Sequence, residues 1–128
     1  MPVRTRRYND PAESGDGLRV LVTRYRPRGV RREDETWDVW WPELGPSREL
    51  HAARYGKAGA PIDWPTYRTR YLDETASRPA FSWRVRDLVE RVARGETVTL
   101  LCSSACVNEA ECHRSLLRER ILAEARKR

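Results

Sequence analysis

The chain has 128 residues, enough for one domain that buries a core without disulfides or a metal. Hydrophobic residues make up 39% and charged residues 34%, and no apolar run reaches the length of a membrane span, which excludes a helical integral membrane protein. A formal net charge of +6 and a pI of about 9.7 point to an anionic partner, small or polymeric.

In chain order, the basic start Met1–Arg7 is followed by no apolar segment of signal type, so a cytoplasmic protein is expected. Val3–Tyr8 reads as a short first strand. Asn9–Gly17 holds Asn, Asp, Pro and Gly and reads as loop. Leu18–Thr23 is a β-branched, mostly apolar strand, placed inside a sheet. Arg24-Tyr25-Arg26-Pro27-Arg28-Gly29 leaves that strand as a loop, because Pro27 has no amide donor and Gly29 tolerates positive φ. Gly17 to Arg32 contains six arginines and no acid, a local basic patch. Trp37, Trp40 and Trp41 follow as an aromatic stretch, a core wall or a lid over the arginine loop.

Ser47 caps a short helix through about Lys57, and Asp63 caps a second that carries Trp64, Tyr67 and Tyr71. A third helix is expected over Ser82–Arg94, where Phe81, Val85, Leu88, Val89 and Val92 repeat at helical spacing and Gly95 stops it. Thr97–Leu101 is the next strand. Glu111–Lys127 forms the last helix, with Leu117, Ile121 and Ala125 on its inner stripe. Helices between strands imply parallel pairing with a crossover. The fold class is therefore α/β: one small three-layer domain with a short, mainly parallel sheet flanked by helices. Leu18–Thr23 and Thr97–Leu101 are expected to be parallel neighbours, which puts the arginine loop and the segment after Leu101 on one sheet edge.

That segment holds the chain's chemistry. Cys102, Cys106 and Cys112 fall within eleven residues, and Cys112-His113-Arg114 stands where the last helix begins. A thiol at a helix N-terminus beside an arginine is stabilised as thiolate. Cys112 and His113 are thus the candidate catalytic pair. Arg24, Arg28 and Arg114 are the candidate anion ligands, since guanidinium forks match phosphate, sulfate and carboxylate. Cys102 and Cys106 are candidate thiol partners, with a disulfide between them open to a folded-back loop. Each thiol also has a plain reading as a small buried or loop side chain.

Cys102, Cys106, Cys112 and His113 are numerous enough for zinc. Their spacing departs from the usual ligand pairs, and adjacent helix residues diverge by about 100°. No metal is assigned on that ground, and no cofactor is specified. Cys102–Asn108 has the length of a cysteine-based phosphate loop, but Asn108 stands where such a loop needs arginine.

Three stretches carry a family resemblance: Arg7-Tyr8-Asn9-Asp10-Pro11, Asp16-Gly17-Leu18-Arg19-Val20-Leu21-Val22, and Arg24-Tyr25-Arg26-Pro27-Arg28-Gly29. They resemble the opening of the bacterial YeaO-like domain of unknown function, the family numbered 488. Pro46-Ser47-Arg48-Glu49-Leu50, the aromatic second helix with Glu74, and Val98-Thr99-Leu100-Leu101 are similar to its later parts. Thr23 and Arg26 replace the Asp and Trp usual in that family. Cys112-His113-Arg114 resembles the ending of the wider superfamily instead. The resemblance implies the fold and the place of the site, and no reaction.

Two function classes stay open. One is a small enzyme with an anionic ligand, bound by the arginines and acted on by a thiol. The other is a nucleic-acid or nucleotide binding module that uses the same arginines without catalysis. Nothing in the sequence fixes an oligomeric state, and no membrane partner is expected.

Overall fold

The computed structural model describes residues 2–128. One sheet of four parallel strands holds β1 (Val3–Arg7), β2 (Leu18–Leu21), β3 (Val39–Trp40) and β4 (Val98–Cys102), in the order β1-β4-β2-β3. The helices are α1 (Arg48–Arg54), α2 (Trp64–Ala76), α3 (Pro79–Ala93) and α4 (His113–Ala125). The expected pair of strands is adjacent and parallel, with Leu18 opposite Val98 and Leu21 opposite Leu101. Among the described residues no helix is long and apolar enough to cross a membrane.

β4 suits the centre because its residues are apolar on both faces except Thr99, whose hydroxyl donates to the Asp16 carbonyl at 2.8 Å. Every one of them is buried, as a strand paired on both edges requires. Side chains alternate across the sheet. Val20, Val98 and Leu100 point to the helical layer and meet Phe81, Val85, Leu88 and Leu117. Leu21 and Leu101 point the other way, onto Trp37 with Tyr8 and Val30 beside it. That face is covered by the segment between β2 and β3, which includes a short 3-10 turn at Arg32–Asp34. Burying each leucine contributes about 1.5–3 kcal/mol.

Several boundaries differ from expectation for identifiable reasons. α3 begins at Pro79, because proline in a first turn lacks only an N–H that has no helical partner. α4 begins at His113, because Glu109–Glu111 forms a separate 3-10 turn held by the Asn108 side chain. β3 is a two-residue strand inside the tryptophan stretch, too short to show alternation. Trp37 and Trp41 are buried, as expected of a core wall. Trp83 is 69% exposed, because it sits two residues from both Phe81 and Val85 and so faces away from the core.

All strands run the same way, so their carboxyl ends share one edge. Gly17 makes this register possible: its φ is +63° and a Cβ there would lie 1.9 Å from the Thr97 carbonyl oxygen. At the carboxyl edge Tyr8, Thr23 and Cys102 emerge side by side, from β1, β2 and β4.

Candidate functional site

A cleft of about 680 Å³ opens at that edge. One wall is the loop after β2, which brings Arg24, Arg26 and Arg28 to it. The loop is fixed locally. The Thr23 hydroxyl donates to the Tyr25 carbonyl at 2.6 Å, and the Trp40 indole N–H donates to the Thr23 carbonyl at 2.9 Å. Gly45 packs its backbone so closely that a Cβ there would lie 2.7 Å from the Arg24 amide nitrogen. The opposite wall comes from α1 and its exit, with His51, Tyr55 and Lys57. Ser47 caps α1 through the Leu50 N–H, and Glu74 of α2 accepts from both the Ser47 N–H and its hydroxyl. His51 packs between Tyr25 and Tyr55, with ring centroids 5.0 and 4.6 Å away.

The charge in this cleft is one-sided. No Asp or Glu is among the residues that line it. Arg26 is neutralised by Glu35 at 2.8 Å and lies over Trp37. No ion pair among the described residues takes Arg24, Arg28 or Lys57. Burial and the Lys57 charge hold the His51 imidazole below its ordinary value, so the ring is neutral near pH 7.

The floor is the end of β4 and the start of α4. Cys102 lines the cleft with Ser103, Ser104 and His113. The Cys102 Sγ lies 3.2 Å from that of Cys106 and 3.4 Å from that of Cys112. Cys112 is the N-cap residue of α4 and is buried behind Cys102, outside the lining. Hydrogen bonds from the Cys102 and Cys106 thiols, with the Arg114 N–H and guanidinium, push the Cys112 thiol well down despite its burial. Hydrogen bonding with its two neighbours, with burial, pushes Cys102 up. The trio thus favours one thiolate held by two thiols.

His113 is buried apart from the edge it shows to the cleft, and burial keeps it neutral. Its Nε2 sits 2.8 Å from the Val22 carbonyl oxygen, which can only accept, so Nε2 carries the hydrogen. Nδ1 is left with its lone pair 3.9 Å from the Cys112 Sγ. Arg114 is buried and donates to the Cys106 carbonyl at 2.9 Å, tying down the cysteine loop, while its Nε has no partner.

Of the residues singled out from sequence, Arg24, Arg28, Cys102 and His113 reach the cleft wall or floor. Cys106 and Cys112 join Cys102 below it, and all three Sγ atoms lie within 4.8 Å of one another. Arg114 does not line the cleft: its fork points at the cysteine loop. His51, Tyr55 and Lys57 line the cleft without having been singled out from sequence. A signal existed, since the chain has only two histidines, and Lys57 is one of only two lysines in an arginine-rich sequence. The basic patch is smaller than its arginine count. Arg19 is 5% exposed and held by Asp16 at 2.5 Å and by the Thr36 carbonyl, and Arg31 pairs with Glu33 and Asp34.

Residues 3–125 match the family model described as the active DUF488-N3 subclade. The uncharacterized protein YeaO of Escherichia coli K12 is 38% identical over 104 residues, covering 81% of this chain and 84% of YeaO. The uncharacterized protein Rv3073c of Mycobacterium tuberculosis H37Rv is 33% identical over 76 residues, 59% of this chain and 55% of that protein. No solved structure matches the chain.

Proposed function

The chain belongs to the DUF488 family, in the N3 subclade described as active, and on that premise we propose that the cleft binds a small anionic ligand over a thiol-dependent reactive floor. The observation that carries this reading is the set of unpaired cations Arg24, Arg28 and Lys57 in a cleft lined by no acid. Two guanidinium forks and an ammonium suit a phosphate, sulfate or carboxylate group. The rings of Tyr25 and Tyr55 border the same space and suit a flat organic portion of the ligand. At the floor, Cys112 is the thiolate, Cys102 the thiol nearest the ligand, and His113 the group able to exchange a proton with Cys112 through Nδ1. Arg114 acts at one remove, by holding the Cys106 loop and adding positive charge behind the sulfurs.

Nucleic-acid binding is the weaker reading, because Arg19, Arg26 and Arg31 are already spent on internal carboxylates. Calorimetric titration with inorganic pyrophosphate tests the first reading in reduced, metal-free protein. Binding is expected, and R24Q/R28Q is expected to weaken it at least about tenfold, ~1.4 kcal/mol. Equal affinity in the double variant would remove the assigned subsite.

A further inference from the structure

The three cysteines form more than a supply of thiols. Cys102 ends β4, Cys106 lies in the loop that follows, and Cys112 caps α4, yet their sulfurs converge to mutual distances of no more than 4.8 Å. Zinc bonded to sulfur at about 2.3 Å in tetrahedral geometry holds its sulfurs about 3.8 Å apart. The observed contacts of 3.2 and 3.4 Å fall a few tenths of an ångström short of that edge and the third pair lies within 4.8 Å, so small side-chain shifts open the trio to an ion. We propose that Cys102, Cys106 and Cys112 form a three-thiolate site for one soft metal ion, zinc first among them, with the fourth position open to an exogenous ligand.

The surroundings fit this ligand set. Three thiolates around a divalent ion leave one net negative charge. The Arg114 guanidinium, fixed on the Cys106 carbonyl, and the N-terminus of α4 both offset that charge. The loop is held at both ends: the Tyr8 N–H donates to the Cys102 carbonyl at 2.7 Å, and Arg114 grips Cys106. Soft sulfur ligands select zinc or copper(I) over harder ions. His113 is oriented as a metal-side histidine would be, with Nε2–H on the Val22 carbonyl and Nδ1 turned toward Cys112. It stands outside the mutual distance of the trio, so it is a neighbour of the ion and not its fourth ligand.

Binding balances without an oxidant. The Cys102 and Cys106 S–H bonds lose their protons to solvent and, with the Cys112 thiolate already ionised, three sulfur–metal bonds form. The inference rests on the reading of the sulfur floor as the reactive part of the site, and it turns thiol dependence into metal dependence. It needs no anion in the cleft. Cys102, which lines the cleft, would place the ion beside the bound anion.

The test is an anaerobic titration of reduced, metal-free protein with Co²⁺. The expected result is a thiolate-to-cobalt charge-transfer band that saturates at one ion per chain and is displaced by one equivalent of Zn²⁺. C106S, in a half-exposed loop, is expected to weaken Co²⁺ binding by at least about 100-fold while thermal unfolding stays unchanged. C112S is the second, buried variant. R24Q/R28Q should lose pyrophosphate and keep the cobalt spectrum, so either reading can fail alone. Absence of the band, full-strength binding in C106S, or a Cys102–Cys106 disulfide that forms in air from protein taking up no metal when reduced would each overturn the site.

Discussion

Asp16 shows what one residue can hold. It is 3% exposed and sits two residues before β2, at the sheet edge opposite the cleft. Burial pushes its carboxyl up, but the Glu13 N–H and the Arg4 and Arg19 guanidinium groups outweigh it and hold the carboxyl below its ordinary 3.8. A group depressed in the folded state adds stability above its unfolded value and loses it as pH falls through the folded one. Stability is therefore expected to drop below about pH 3.8 in the native protein, and D16N is expected to flatten that part of the profile. At pH 7, D16N strands Arg19 in a buried place and should cost about 3 kcal/mol, read by urea unfolding. Pyrophosphate affinity should stay the same. A D16N protein of native stability would show that the pair contributes nothing net. Arg19 also marks a limit of reading residues one at a time: from sequence it counted toward a basic patch, and only the fold shows that Asp16 takes its charge.

Among the elements, legibility followed pattern length. β2 and β4 were readable because four or five apolar residues between turn signals have few other uses, and their parallel pairing followed from the helices between them. Ser47 and Asp63 announced α1 and α2 by cap chemistry, and both side chains accept the expected N–H. β3 was not readable, since two residues carry no period. The convergence of the thiols was not readable either. Spacing along the chain does not show it, because Cys112 sits at the cap of α4 and the loop folds Cys102 and Cys106 back onto it. The arginine loop depends on an element that the sequence did not single out. Gly45 follows the 3-10 turn Pro42–Leu44 and leads to α1, and its bare Cα lies against the backbone of Thr23 and Arg24. G45A must shift that backbone, because the crowding atoms belong to the main chain and not to a flexible tip. The expected outcome is about tenfold weaker pyrophosphate binding, ~1.4 kcal/mol, with helix content unchanged by circular dichroism. Unaltered affinity would show that Arg24 adapts without its support.

Across the whole molecule, the net charge of +6 and the shape of the charged surface argue for different partners. The total charge attracts any polyanion, and attraction of that kind is screened by salt. The unpaired cations that the structure singles out, however, lie in a cleft at the carboxyl edge of the sheet, with aromatic rings beside them. A nucleic-acid backbone gains affinity from several phosphates at once, and its log affinity falls with log salt by about 0.9 per phosphate neutralised. A small ligand in the cleft engages the same two or three cations at every salt concentration and is screened less where the walls exclude water. The two modes separate when salt and side chains are varied together. Duplex DNA, if it binds, should do so through surface arginines such as Arg32, so its affinity should fall steeply with salt and be nearly equal in the native protein and in R24Q/R28Q. Pyrophosphate should show a shallow salt dependence and depend strongly on Arg24 and Arg28. A steep salt slope for duplex DNA that becomes shallower by about two phosphates in R24Q/R28Q would instead place nucleic acid on the cleft arginines and return the protein to the class of binding modules.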